Sequence, residues 1–467
     1  MNMNYKINRR SFLKNSALAG ALGTIGTTGA ASMLTSCKEG SNSSSSKPIK
    51  EPGTYYIPDL VDFAIDGKEL KAGLVGCGGQ GSGITLKFLE AANGITITAL
   101  GDVFKERIDA FADTLKKEKN IDVPESNRFV GLDSYKHVID SGVDIVILAT
   151  PPVFRPIHFQ YATEKSKHSF LEKPVCVDPT GYRLIIATAK QADAKNLCVV
   201  TGTQRRHQRC YVETYKRVMD GMIGKIVNGI VFWNKTSQSW RQSSRPEWGD
   251  GEAMLRNWSN WKWLSGDHIV EQHLHNIDVF MWFSGVKPKT AVGFGSRQRR
   301  LTGDQFDNFS VDFEMENGSH MHSYCRQIFG CSGKIGEIFQ GTKGTLALNH
   351  DFNTAVFKDL DDNIIWEYDF EAEKAKYKQT DPYVLQFVNW INHIRSGKPV
   401  NQAPDTAIPN LTAIMGRESS YKGVNVKWDE IIVSPLDYMP KDLNLGKMDM
   451  SAFNVEIPGK PDARIKV

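Results

Sequence analysis

The 467-residue chain carries 57 basic and 53 acidic side chains, a formal net charge of +4. Residues 1–36 hold four of the basic residues and no acidic ones, so the remainder is balanced at 53 of each sign. That balance excludes the electrostatic footprint of a nucleic-acid-binding protein, and the N-terminal apolar run, diluted by Gly and Thr, is a poor permanent membrane span.

In chain order, Lys6, Arg9, Arg10 and Lys14 form a basic head, Ala17–Leu34 an apolar stretch, and Cys37 closes it. Arg9-Arg10 followed by Ser-Phe-Leu-Lys resembles the twin-arginine export motif, and Leu34-Thr35-Ser36-Cys37 resembles a bacterial lipobox. The expectation is a signal over residues 1–36, lipidation of Cys37, and a Ser-rich tether and lead-in over 37–65. The protein would sit on the periplasmic side of a bacterial membrane, held at its surface by lipid alone. Seven cysteines include Cys37, and none of the others forms a CxxC pair, so buried free thiols are expected, with a disulfide such as Cys325–Cys331 as the alternative in an oxidising compartment.

About 400 residues remain, enough for two domains. From Leu70 short β-rich runs (Leu70–Val75, Ile95–Leu100, Asp144–Ala149, Ser169–Glu172, Leu197–Thr201) alternate with helical patterns at Gly83–Ala92, Phe104–Lys117, Ser134–Asp140 and Pro179–Ala194. Such alternation predicts an α/β fold with a parallel sheet, a Rossmann domain over residues 66–201. Gly76-Cys77-Gly78-Gly79-Gln80-Gly81 falls between the first strand and the first helix, the context a dinucleotide fingerprint requires. Gly76 permits a tight turn, Gly78 lets backbone approach a pyrophosphate, and Gly81 lets helix pack on strand, with Gly79 and Gln80 completing the loop. The helix start then offers free N–H groups to phosphates. Asp102, ending the second strand, can accept both ribose hydroxyls and would repel a 2′-phosphate, so the cofactor expected is NAD. Lys105 and Arg107 stand nearby.

"LATPP" (148–152) and "LEKPV" (171–175) close two later strands and should face the cofactor, since ligands bind outside the carboxyl ends of such strands. The glycine turn, "ATPP" and "EKP", in this order and spacing, resemble the Gfo/Idh/MocA oxidoreductases over nearly all of the chain after the tether. The resemblance implies that Lys173 contacts a substrate hydroxyl and the nicotinamide ribose, and that Thr150, Pro151 and Glu172 line the cofactor.

Strand-like runs with turns at "ENGS" and "GTKG" then predict a second, α+β domain over 202–380, with a large, mostly antiparallel open sheet. The resemblance implies that such sheets often pack face to face, hence a homo-oligomer, dimer or tetramer. Residues 381–467 read as helices and a tail packing back on the core. Within "SGDHIVEQHLHNID" (265–278), family members carry D-x-G-x-H-x-x-D. The resemblance makes His275 the proton acceptor, Asp278 the last Asp, Glu271 the first carboxylate and His273 the replacement for Gly. Histidine suits a base working near neutral pH, and a Lys173 cation would stabilise a developing alkoxide. His268, Glu271 and His275 would share one face of a continuous helix, but their spacing is not that of a metal-binding motif and no metal is expected.

Trp240, Trp248, Trp258, Trp261 and Trp263 crowd the stretch before this motif; Trp261 and Trp263 are assigned to sugar stacking. In "GTQRRHQ" (202–208) the resemblance places Gln204 at the cofactor and Arg205 and Arg206 at the substrate, together with His273 and Asp278. The leading expectation is an NAD-dependent dehydrogenase of a ring hydroxyl on a sugar, glycoside or cyclitol. A redox-neutral, NAD-dependent glycosidase and a non-enzymatic sugar- or NAD-binding sensor stand as alternatives. Because a twin-arginine substrate crosses folded, and free NAD is scarce outside the cytoplasm, the cofactor is expected to be held tightly.

Overall fold

The computed structural model describes residues 57–236, 245–351 and 353–465. The expected signal over residues 1–36, Cys37 and Trp240 lie outside them. The first sheet runs in the order β3-β2-β1-β4-β5-β6, from Leu70–Val75 (β1), Ile95–Asp102 (β2), Arg128–Val130 (β3), Ile145–Leu148 (β4), His168–Leu171 (β5) and Val199–Thr201 (β6). Every pairing in it is parallel. Helices cover both faces, which is why a strand such as Ile-Val-Ile-Leu in β4 is buried at every position rather than alternating. The helix Pro179–Ala194 has the ends read from the sequence, set by the Asp178 cap on the Gly181 N–H and by Pro179 in its first turn. The first helix starts at Gly79 instead of Gly83, because Gly78 is itself the extended residue from which the chain enters the helix.

The second sheet has nine strands in the order β14-β13-β12-β11-β7-β10-β9-β8-β15. Its elements are Ile226–Lys235 (β7), Pro288–Ser296 (β8), Asn308–Met315 (β9), His320–Gln327 (β10), Lys334–Gly341 (β11), Gly344–Asn349 (β12), Thr354–Asp359 (β13), Ile364–Glu367 (β14) and Val426–Lys427 (β15). All neighbours are antiparallel except β7 and β10, which run parallel. Along β10 the buried Met321, Ser323 and Cys325 alternate with the exposed His322 and Tyr324, so one face packs under helices and the other is bare. The helices Leu274–Ser284 and Ala403–Lys422 pack on the covered face.

The helix Ala403–Lys422 also packs on Pro179–Ala194 and so ties the two domains together, and it is preceded by the C-terminal helix Pro382–Ser396. That preceding helix returns to the first sheet, where Phe387 meets Phe88 edge-on at 5.5 Å and the Trp390 indole N–H donates to the Cys198 carbonyl. Six cysteines fall among the described residues; all are free, and all but Cys331 are buried.

Candidate active site

The cofactor end of the site is built by glycines with two different jobs. Gly76 turns with φ +99°, and a Cβ there would meet the Ala149 backbone at 2.7 Å. A Cβ on Gly81 would lie 1.8 Å from the Gly76 carbonyl oxygen. These two are required by the chain's own packing. A Cβ on Gly79 would touch nothing within 4 Å, and one on Gly78 only the end of Arg107 at 3.9 Å. Their bare backbone faces a cleft that also takes in Gln80, Asp102, Thr150 and Pro151. No acidic residue stands in the first turn of the helix that starts there, so its N–H groups are open to an anion.

Asp102 is buried at the cleft, with Oδ2 accepting from the Cys77 N–H at 2.8 Å and Oδ1 from the Phe104 N–H at 3.0 Å. Each oxygen keeps a lone pair for a further donor. Burial raises the carboxyl above its ordinary value, and the Arg107 guanidinium works against that rise. An open glycine backbone at a helix start, facing a buried carboxylate at the end of the next strand, fits a dinucleotide.

Beyond the glycine turn the ends of β5 and of the second domain meet. Glu172 accepts from the Gln80 amide at 2.8 Å and from the Lys173 N–H at 2.8 Å. Lys173 Nζ donates to the Glu271 carboxylate at 2.9 Å and to the Glu271 carbonyl at 2.5 Å, joining the domains across 98 residues of sequence. Arg155, which the sequence reading passed over although it stands three residues after "ATPP", is buried and donates to the Pro174 carbonyl. Thr150 Oγ1 lies 3.2 Å from His158 Nδ1, at the opposite wall.

His275 lies near Lys173 with its ring stacked on Trp233, centroids 5.6 Å apart. It is almost fully buried. Desolvation first, then the charges of Lys173 and Arg205, hold its imidazole well below the usual histidine range, so it is neutral and able to accept a proton. Trp233, His350 and Lys235, which surround it from the second sheet, carried no motif in the sequence; only folding brings them together.

Several expected site residues go elsewhere. His273 is fully buried and hydrogen-bonds Ser323 Oγ through Nε2 at 2.7 Å, so it is a core histidine without a face for substrate. Asp278 does not reach His275; it accepts three hydrogen bonds from Arg206, of 3.2, 3.0 and 2.7 Å, under Trp282. Arg205 is buried against Glu337 at 2.5 Å. These three are pillars of the core rather than substrate contacts. Gln204 is buried at the end of the first sheet with its side-chain oxygen unpartnered among the described residues. Trp263 is 2% exposed and packs with Phe154 and Phe453, which removes it from sugar stacking. Trp261 leans on Phe453 as well. Trp258 instead lines the cofactor cleft, with Leu255.

The shared helix face of His268, Glu271 and His275 does not form either. The helix His268–Glu271 ends at Gln272, a new one runs over Leu274–Ser284, and the His273 N–H bonds the His268 carbonyl five residues back. Among the described residues no group of His, Cys, Asp and Glu is arranged to hold a metal ion.

A parallel six-stranded sheet with a glycine cradle, a lysine at a strand end and a buried neutral histidine from an antiparallel second domain define a two-domain dinucleotide-binding protein. Residues 70–201 match the oxidoreductase family model for the NAD-binding Rossmann fold, and residues 216–427 match the C-terminal alpha/beta domain of the same family. The chain belongs to the Gfo/Idh/MocA family.

Inositol 2-dehydrogenase of Salmonella typhimurium is 26% identical over 251 residues, 53% of this chain and 65% of that protein. The chain thus spans just under two thirds of that relative's length. The scyllo-inositol 2-dehydrogenase (NAD(+)) of Bacillus subtilis is 22% identical over 377 residues, covering 77% of this chain and 97% of the relative. Among solved structures, levoglucosan dehydrogenase in complex with NADH and L-sorbose shares the fold with a TM-score of 0.62 at 16% identity, over 77% of this chain and 99% of that one.

Proposed function

We propose that this protein oxidises a ring hydroxyl of a sugar, glycoside or cyclitol, reversibly, with NAD that stays on the enzyme. The observation that carries the reading is the Lys173–Glu271 pair at a strand end beside the glycine cradle, with the neutral His275 within reach of the Lys173 charge. The bound cofactor supplies the hydride acceptor. His275 takes the hydroxyl proton on a ring nitrogen, and its burial keeps that nitrogen free to do so. Lys173 places a cation at the oxygen where charge develops, and Glu271 fixes its ammonium between the domains. The named relatives, inositol dehydrogenases, support the cyclitol or sugar class.

The test is a panel of inositols, hexoses and glycosides with NAD-loaded protein, read by nicotinamide absorbance. Lys173→Ala and His275→Ala, folded and loaded, should lose the reaction; variants as fast as wild type would sink the reading. Mass spectrometry of purified protein should find nicotinamide nucleotide carried through purification.

Export by the twin-arginine route and a lipid at Cys37 belong to the same reading, supported by the N-terminal sequence. Fatty-acid labelling in the source bacterium should be lost in Cys37→Ser. Oligomerisation through the bare sheet face is supported by the exposed row Phe294, Ser310 and Tyr324 across β8, β9 and β10, and light scattering would give the copy number.

A further inference from the structure

The cofactor cleft has a wall that its own domain does not supply. Leu255 and Trp258, from the second domain, stand against the glycine turn and Asp102, and Trp258 also borders the adjoining cavity with Gly78, Gly79 and Arg107. Between them Arg256 reaches back to the nucleotide domain. Its Nη1 lies 2.6 Å from Glu106 Oε1, and its guanidinium sits 3.9 Å above the Phe104 ring. Glu252 holds the same guanidinium through Nε at 2.8 Å.

The wall begins with a seven-residue helix, Asp250–Arg256, too short to be stable alone. The C-terminal segment supplies what it lacks. Its first N–H groups would be unpaired, yet Gly251 donates to the Gly446 carbonyl at 3.0 Å and Glu252 to the Leu445 carbonyl at 3.1 Å. Gly251 permits this approach, since a Cβ there would lie 1.9 Å from the Asn444 carbonyl oxygen. The Asp250 carboxylate returns a bond from the Met448 N–H at 3.0 Å.

The segment is pinned at both ends. Before the crossing, the Tyr438 N–H bonds Asp178 of the nucleotide domain at 3.0 Å. After it, Glu456 pairs with Lys262 at 2.7 Å. Leu443, Leu255, Trp263, Phe154 and Phe104 form one apolar cluster, separate from the two domain cores and drawn from all three parts.

We propose that residues 436–456 are a cofactor-retention strap: they hold the Asp250–Trp258 wall closed over one side of the dinucleotide cleft, with Arg256–Glu106 as its latch, and so set how fast NAD leaves. This rests on the reading that NAD stays bound, and gives it a mechanism. Release requires the wall to swing off Phe104 and Glu106, and the strap opposes that swing at every hydrogen bond it makes.

The experiment loads the full-length protein with NADH and follows its fluorescence after a chase with excess NAD. Arg256→Ala and Gly251→Ala should release NADH at least tenfold faster than wild type, and Glu106→Gln several-fold faster. Folded Arg256→Ala and Gly251→Ala that release within twofold of wild type would overturn the proposal. If Gly251→Ala does not fold, Arg256→Ala and the surface change Glu106→Gln decide it alone. The wild-type rate is a separate readout: rapid release would remove the retention reading, while the strap is judged by the ratios. Loss of sugar oxidation without altered release ratios would strike only the proposed function.

Discussion

Lys173 and Glu271 face each other at 2.9 Å, one from the end of a nucleotide-domain strand and the other from the second domain, with little of either side chain in solvent. The pair spans the seam between the domains at the point where chemistry is proposed. Glu271, at the position of the motif's first carboxylate, thus serves the lysine.

The first prediction follows from that pairing. Lys173→Ala removes the cation at the reacting oxygen and should lower kcat by about 10²–10³, the usual cost of losing one preorganised electrostatic donor. Glu271→Gln keeps a hydrogen-bond acceptor and the backbone contact, and should cost about tenfold, mostly in kcat. Steady-state kinetics with a reactive sugar or cyclitol separates the two, and equal losses would remove the positioning role of Glu271.

The second concerns pH. A base must be unprotonated to act, and burial together with Lys173 and Arg205 keeps His275 so well below the ordinary histidine value. The acid limb of kcat/KM should therefore fall below pH ~6.5, the unperturbed value. Lys173→Met deletes one of the opposing cations, so its residual activity should show that limb moved upward. A limb that stays in place would mean that His275 is not the titrating base.

How much of this was legible beforehand depends on the range of the interactions. The strand Leu70–Val75, the helix Pro179–Ala194 and the glycine turn were readable because local rules fix them: a buried apolar run, an Asp cap, a Pro start, glycines at set offsets. His273 was placed at the substrate beside His275 because no Gly or Pro interrupts "HIVEQHLHNID" to show that the helix breaks at Gln272. Arg205, Arg206 and Asp278 looked like site residues because charge is conspicuous in sequence, while their partners, Glu337 and Trp282 among them, are set by the fold. The Trp-rich stretch was read toward a sugar, yet Trp258 meets the nucleotide cleft; nothing local tells a tryptophan which cleft it will wall.

The third prediction tests that reassignment. Arg206 and Asp278 are 9% and 2% exposed at the side chain, so breaking the pair leaves a buried charge. Arg206→Ala should cost about 3–5 kcal/mol of unfolding free energy, and Arg206→Met with Asp278→Leu should recover much of it. Denaturant melts check this. The folded fraction of the double variant should keep the wild-type KM for sugar, which a true substrate-binding pair would not.

The fourth is acid lability. Burial lowers His158, His207, His273 and His350 to about 3. Unfolding exposes them at an ordinary value of ~6.5, so between those limits the unfolded state binds more protons. Stability is therefore full above pH ~6.5 and falls as pH drops below it, by up to about 1.4 kcal/mol per pH unit for each histidine. Glu337, raised to about 7 by burial, runs the other way and offsets roughly one of them between pH ~4.5 and its folded value. Denaturant midpoints should hold from pH 7.5 to about 6.5 and decline from there to pH 5; a profile flat throughout would contradict the neutral buried state.

The last prediction separates the two jobs of the glycine turn. Gly81→Ala would set a Cβ 1.8 Å from the Gly76 carbonyl oxygen, between backbone atoms of a strand end and a helix that cannot both yield. That variant should lose stability whether or not nucleotide is present, and its melting temperature should drop in the nucleotide-free protein. Gly79→Ala meets nothing within 4 Å, and alanine favours the first turn of the helix more than glycine does. Its nucleotide-free stability should match or slightly exceed wild type. The added methyl group nonetheless enters the open cleft that Gly79 lines, where the cofactor's backbone contact belongs. Calorimetric titration should show NADH affinity at least about tenfold weaker, a loss of about 1.4 kcal/mol, in a protein as stable as the parent. A Gly79→Ala protein that binds NADH as well as wild type would mean that the bare backbone is not a phosphate cradle.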